Sequence, residues 1–132
     1  MNLAQTKVAL ENSVGENIKK NLTEGAEVKT LYDINKGCML VEIVQHNDRK
    51  ENENTSNIMC YNFQYNEEAK ELLTVAFNRA YIYDAIGIAV VNNEAITLSE
   101  SFIAAIKKLI VDGMDEVYNP KTEAKGSDNI AE

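Results

Sequence analysis

The chain has 132 residues, 45% of them hydrophobic, which is enough for one ordinary core and predicts a single domain. Thirteen Lys and Arg against 21 Asp and Glu leave a formal net charge of -8 and an isoelectric point near 4.7. That balance repels phosphate backbones and anionic lipid, so nucleic-acid and membrane-surface binding are disfavoured.

The opening MNLAQTKVALENSVGENIKK breaks its apolar residues with polar ones every two or three positions, so it has no signal-peptide core. No later run is long enough to cross a bilayer. Two cysteines without CxxC spacing, Cys38 and Cys60, then predict reduced thiols in a cytoplasmic protein. The acidic residues are scattered rather than massed, the pattern of a solvated surface.

Leu3, Leu10, Val14, Ile18 and Leu22 recur at three- and four-residue multiples, which predicts a helix over Asn2 to Glu24, with Gly25 as its left-handed stop. Ala26 to Ile34 alternates Val28, Thr30, Tyr32 and Ile34 against Glu27, Lys29 and Asp33, a half-buried strand. Asn35-Lys36-Gly37 predicts a hairpin turn, and Cys38 to Gln45 a second strand. His46 to Asn57 is polar throughout and reads as a loop, Ile58 to Tyr65 as a third strand. If strands two and three pair across that loop, Gln45 falls near Ile58, Ile43 near Cys60 and Cys38 near Tyr65. The cysteines are then about five pairing steps apart, roughly 17 Å, too far for a disulfide or a shared metal.

Asn66 ahead of Glu67 and Glu68 reads as an N-cap, predicting a second helix to about Asp84. Its apolar residues, from Ala69 and Leu72 to Tyr83, exceed one stripe, so such a helix needs cover on more than one side. Ile86 to Val91 and Ala95 to Leu98 predict a short hairpin around Asn92-Asn93-Glu94; the alternative continues helix two through Val91. Thr97-Leu98-Ser99-Glu100 has the capping-box pattern, with Ser99 as an alternative cap, and Phe102, Ile103, Ile106, Leu109, Ile110, Met114 and Val117 keep helical spacing to Tyr118. Asn119-Pro120 ends that helix, and Lys121 to Glu132 has almost nothing to bury. The expected fold is α+β, an antiparallel sheet of three strands plus a short hairpin packed with three helices. The expected order is α-β-β-β-α-β-β-α, with residues 1–119 as the domain and 120–132 as a disordered tail.

Enzyme constellations are missing. GxGxxG and GxxxxGK(S/T) do not occur. His46 could act as a general base for a cysteine, but the sole histidine at a strand end reads as a surface residue. Asp48, Glu51 and Glu53 lack the spacing and glycine of a calcium loop. The tyrosines and phenylalanines of strand three and helix two have no basic residues interleaved, so they read as core and interface rather than as a platform for bases. No catalytic residue, cofactor or metal is expected. Helix two and Ile86 to Val91 instead carry surplus apolar surface, which predicts association with a protein partner, most simply as a homodimer.

The order of elements resembles the class I type III secretion chaperones and the related YbjN-like fold. The resemblance covers Asn2 to Tyr118 as topology and is carried by ELLTVAFNRAYIYDAIGIAVVNNEAITLSESFIAAIKKLIVDGMDEVY. It implies a homodimer that holds an extended segment of a secretion substrate in a non-globular state. Phe77, Tyr81, Tyr83, Ile86, Ile88 and Val90 would make the dimer contact, while Leu3 and Val8 would face the client. A second expectation is a small acidic phage- or mobile-element-encoded inhibitor that blocks a host or defence protein. Both are non-catalytic protein binders.

Overall fold

A computed structural model describes residues 2–22, 25–47, 55–83, 85–87 and 89–120. The elements are α1 (Leu3–Lys19), β1 (Ala26–Asp33), β2 (Cys38–Asn47), β3 (Thr55–Asn66), β4 (Glu71–Tyr83), β5 (Ala89–Ala95) and α2 (Glu100–Tyr118). The strands form one antiparallel meander, β1-β2-β3-β4-β5. The fold is therefore α+β, with two helices where three are expected, in the order α-β-β-β-β-β-α. Among the described residues no helix is long and apolar enough to cross a membrane.

Helix α1 begins at a reciprocal cap: Asn2 Oδ1 accepts from Gln5 N at 2.8 Å, and Gln5 Oε1 accepts from Asn2 N at 3.0 Å. It ends at Lys19, short of the expected Glu24, because Asn21 N and Leu22 N turn back to the carbonyls of Ile18 and Lys19 in a tighter turn. Gly25 then leads into β1 with φ +93°. The β1–β2 turn closes as expected, with Gly37 at φ +62° donating to Asp33 O at 2.9 Å. Of the expected loop from His46 to Asn57, His46, Asn47 and 55–57 are ladder residues, while 48–54 lie outside the described residues. The β2–β3 register also departs by one residue, since Gln45 faces Met59, Ile43 faces Tyr61 and Cys38 faces Asn66. A one-residue slip moves every side chain to the other face.

The largest correction is the expected second helix, which is strand β4. Asn66 Oδ1 accepts from Ala69 N at 2.8 Å, as an N-cap would. Here that bond closes a turn in which Lys70 N returns to Asn66 O at 2.8 Å and Lys70 takes φ +56°. The chain reverses and pairs with β3 from Asn66↔Glu71 to Thr55↔Ile82. Thr74, Val75, Phe77, Tyr81, Ile82 and Tyr83 are β-branched or aromatic, which suits a pleated ladder better than a helix. The expected hairpin and its helical alternative both give way to one strand: Asn92, Asn93 and Glu94, expected as the turn, lie inside β5 opposite Ala80, Arg79 and Asn78. The reversal falls earlier, where Gly87 has φ +84°. Helix α2 starts at the alternative cap rather than at Thr97, with Ser99 Oγ accepting from Phe102 N at 3.2 Å. The expected tail, from Lys121 onward, lies outside the described residues.

Both helices cover the same side of the sheet. Leu10, Val14 and Ile18 of α1 and Ile106, Ile110 and Met114 of α2 close over Met39, Val41, Ile43, Phe63 and Tyr65. The Phe102 ring sits 5.8 Å from that of Tyr61 and 6.4 Å from that of Phe63. Two polar ties join the helices: Ser13 Oγ donates to Gly113 O at 2.5 Å and Asn17 Nδ2 to Leu109 O at 2.8 Å.

Candidate protein-binding surface

Strand alternation sends every second residue away from the helices, and the register arranges these residues in rows across the open face. One row runs Leu31, Leu40, Gln64, Leu73; the next Lys29, Glu42, Asn62, Val75; then Glu27, Val44, Cys60, Phe77, Ala95. Beyond these come His46, Ile58, Arg79, Asn93, and then Ser56, Tyr81, Val91. Along β4 this face is almost wholly apolar. Leu73 is 62% and Val75 64% exposed, and Leu31 and Val91 are each 52% exposed. A shallow groove of about 290 Å³ runs between β2 and β4, lined by Leu40, Asn62, Gln64, Leu73 and Val75 among others.

The middle rows carry Lys29 and Arg79 against Glu27 and Glu42, so they are close to neutral although the chain has net charge -8. Arg79 is held on the face, its Nε donating to Asn93 Oδ1 at 3.1 Å and its guanidinium 5.9 Å from the Phe77 ring centre. His46 Nε2 lies 3.4 Å from Glu27 Oε2. It therefore sits as an exposed strand residue beside a carboxylate, one row from Cys60 on the open face and at the far end of β2 from Cys38. Among the described residues no three His, Cys, Asp or Glu side chains converge as metal ligands.

A second cluster stands at the other end of the molecule. Glu67, in the β3–β4 turn, accepts hydrogen bonds from the hydroxyls of Tyr32 and Tyr118, the latter at 2.7 Å, and its N–H donates to Gly37 O at 3.0 Å. Burial, then the Glu67 carboxylate, pushes both tyrosine pKa values up. Phenols so raised stay neutral, so this cluster ties β1, the turn and the end of α2 together rather than supplying a nucleophile.

Both cysteines are free. Cys38 is buried, with Gln64 Nε2 and Asn66 Nδ2 each 3.7 Å from its sulfur. Cys60 is half-buried on the open face, opposite Val44, six pairing steps along β2 from Cys38. In the folded protein Cys60 is expected to react with a disulfide reagent at least about tenfold faster than Cys38, with two thiols titrating after denaturation. A single shared rate would contradict this difference in burial.

Of the interface residues expected from sequence, Phe77, Tyr81 and Tyr83 lie on the open face of β4, as strand and not helix residues, and Tyr83 Oη is 3.3 Å from Ser56 Oγ. Ile86 lies in the β4–β5 connection, 79% exposed, and Val90 takes the β5 position opposite Ile82. Ile88 lies outside the described residues. The expected client residues are elsewhere: Leu3 (71% exposed) and Val8 (52%) are on α1, and Val8 lines a groove of that helix with Ala4 and Asn12. Leu31, Leu40, Leu73 and Val75 were missed. Their signal was the presence of apolar residues on both alternating sets of β2 and β4. No protein-family model and no curated protein matches the chain.

Proposed function

We propose that this chain is a non-catalytic protein-binding module that acts as a homodimer and holds an extended apolar segment of another protein on the open face of its sheet. The observation that carries this reading is the exposure of the successive β4 residues Leu73 and Val75, with Leu31 and Leu40 in the row of Leu73, on a face that no described helix covers. Strands about 4.8 Å apart and about 20 Å long give a whole face on the order of 500 Å², whose apolar end around Leu31, Leu40, Leu73 and Val75 is of the size of a functional patch. Covering about 300 Å² of it gains about 7 kcal/mol before the cost of ordering the segment, which suits weak, reversible holding. The near-neutral middle rows favour an apolar protein segment over a nucleic acid. This reading keeps the chaperone-like activity while the middle helix of that resemblance is replaced by β4. The acidic-inhibitor reading draws support from Asp115 and Glu116, which pair with no cation among the described residues in a groove on α2 where Lys108 pairs with Asp112, a side that suits a basic partner.

The test is the aggregation of insulin B chain released by dithiothreitol. The wild-type protein is expected to suppress it near equimolar ratio. The Leu73→Glu/Val75→Glu double variant should need at least about tenfold more protein, with an unchanged far-ultraviolet spectrum because both sites are exposed. No suppression by the wild type, or equal suppression by the variant, rejects the open face as the holding surface.

A further inference from the structure

The two edges of the sheet differ. At β1, Tyr32 N donates outward to Glu11 Oε2 of α1 at 2.8 Å, and the Thr30 hydroxyl donates to Glu11 O at 2.8 Å. Helix α1 thus lies along that edge, and its carboxylate takes a backbone donor that an incoming strand would need. Burial, the largest influence on Glu11, pushes its pKa up, but the Lys7 ammonium and the Tyr32 N–H together hold it below the usual carboxylate range. The edge is closed by a charged acceptor.

At β5 the outer side has no described strand beside it. Ile96 N donates to Ala76 O at 2.9 Å, one step beyond the Phe77↔Ala95 pair, and this fixes the phase of the ladder. Asn92 and Glu94 turn their N–H and C=O groups toward β4, whereas Ala89, Val91, Asn93 and Ala95 turn theirs outward. The segment AVVNNEA contains no proline or lysine, the residues that usually keep strand edges apart. The helices do not stand in the way, since α1 lies over β1 and α2 barely reaches β4.

We propose that this edge is filled by β5 of a second copy, running antiparallel, so that two five-stranded sheets join into one of ten strands. This assignment rests on the homodimer reading above and names its contact. Antiparallel pairing about Asn92 sets Val91 against Asn93, Ala89 against Ala95 and Asn92 against itself. All outward donors and acceptors of the two copies then match. Glu94 falls opposite Val90, so the two carboxylates stay about 13 Å apart along the strands and like charges do not meet. The twofold axis stands normal to the sheet, which merges the two open faces into one and keeps all four helices on the other side. Seven paired residues bury on the order of 1,000 Å² in total, the lower end for a specific contact, which suits a dimer in exchange with monomer.

The test is sedimentation equilibrium of the wild type, Val91→Pro and Val91→Ala, with amide hydrogen exchange read by NMR. Proline at position 91 removes an outward N–H and leaves the β4 ladder intact; alanine keeps it. The wild type and Val91→Ala are expected to dimerise near 100 µM, roughly, and Val91→Pro to raise the dissociation constant at least about 100-fold. The N–H groups of Val91, Asn93 and Ala95 should gain protection as concentration rises, while those of Asn92 and Glu94 are protected throughout. Should Val91→Pro lose its fold, the wild-type exchange pattern decides alone. A wild type that stays monomeric near 500 µM, roughly, or a dimer whose three outward amides stay unprotected, overturns the proposal. Holding of insulin B chain separates the two readings: Leu73→Glu/Val75→Glu should lose holding and stay dimeric, whereas loss of the dimer in that variant places the contact on the face and overturns the edge.

Discussion

The Gly113→Val substitution is expected to destabilise the protein by about 3 kcal/mol or more, a large fraction of the 5–15 kcal/mol typical of a domain. A Cβ built at Gly113 would lie 2.9 Å from Val14 Cα and 3.2 Å from both Val14 N and Cγ2. The obstacle is backbone, so the helices must move apart, and the Ser13 and Asn17 ties to α2 would lengthen together. Gly15 makes the control, since a Cβ there meets Thr30 Oγ1 at 3.5 Å, an ordinary contact. Gly15→Ala is expected to be neutral or to stabilise by up to about 1 kcal/mol through helix propensity. Urea unfolding followed by circular dichroism measures both; equal midpoints for the two variants would show that the helices do not approach as closely as described.

The Glu67→Ala substitution is expected to cost about 2 kcal/mol, because it leaves the half-buried Tyr32 hydroxyl without its acceptor and releases Tyr118. Tyr118 is 47% exposed, so water recovers part of its bond and most of the loss belongs to Tyr32. The pH dependence follows from the same cluster. Burial first, then Glu67, raises the folded-state pKa values of Tyr32, Tyr65 and Tyr118 above the ordinary 10.0. A group with a raised folded value contributes stability that is complete below its unfolded pKa and lost as pH rises through the folded one. Stability should therefore hold to about pH 10 and fall above it, and Glu67→Ala should shrink that alkaline loss by weakening the cause. An alkaline profile identical in the two proteins would show that Glu67 does not set these values.

Local signals were read correctly where one neighbour decides the outcome. Leu10, Val14 and Ile18 predicted the buried stripe of α1, the Asn35-Lys36-Gly37 turn closed a hairpin, and Ser99 capped α2, because each depends on bonds or spacing within a few residues. The α+β class followed from those elements. Position 66 shows where local reading stops: an Asn side chain accepting from the third residue on is the same bond in a helix cap and in a reverse turn, and Asn66 makes it in the turn. What followed, ELLTVAFNRAYIY, carries apolar residues over more than one stripe, and as a helix it required cover on more than one side. Beside β3 it needs none, because a strand satisfies its backbone through the ladder and divides its apolar residues between two faces. The twelve pairs with β3 start next to the turn at Asn66↔Glu71 and reach Thr55↔Ile82 at the far end, so most of the ladder lies beyond a local window and the tertiary structure chose strand over helix. The same choice moved Asn92 and Asn93 from a turn into β5 and converted the apolar surplus from a helix side into an open sheet face. The sequence by itself determined that apolar surface would be left over, and the pairing of β3 with β4 along the whole strand decided where it lies.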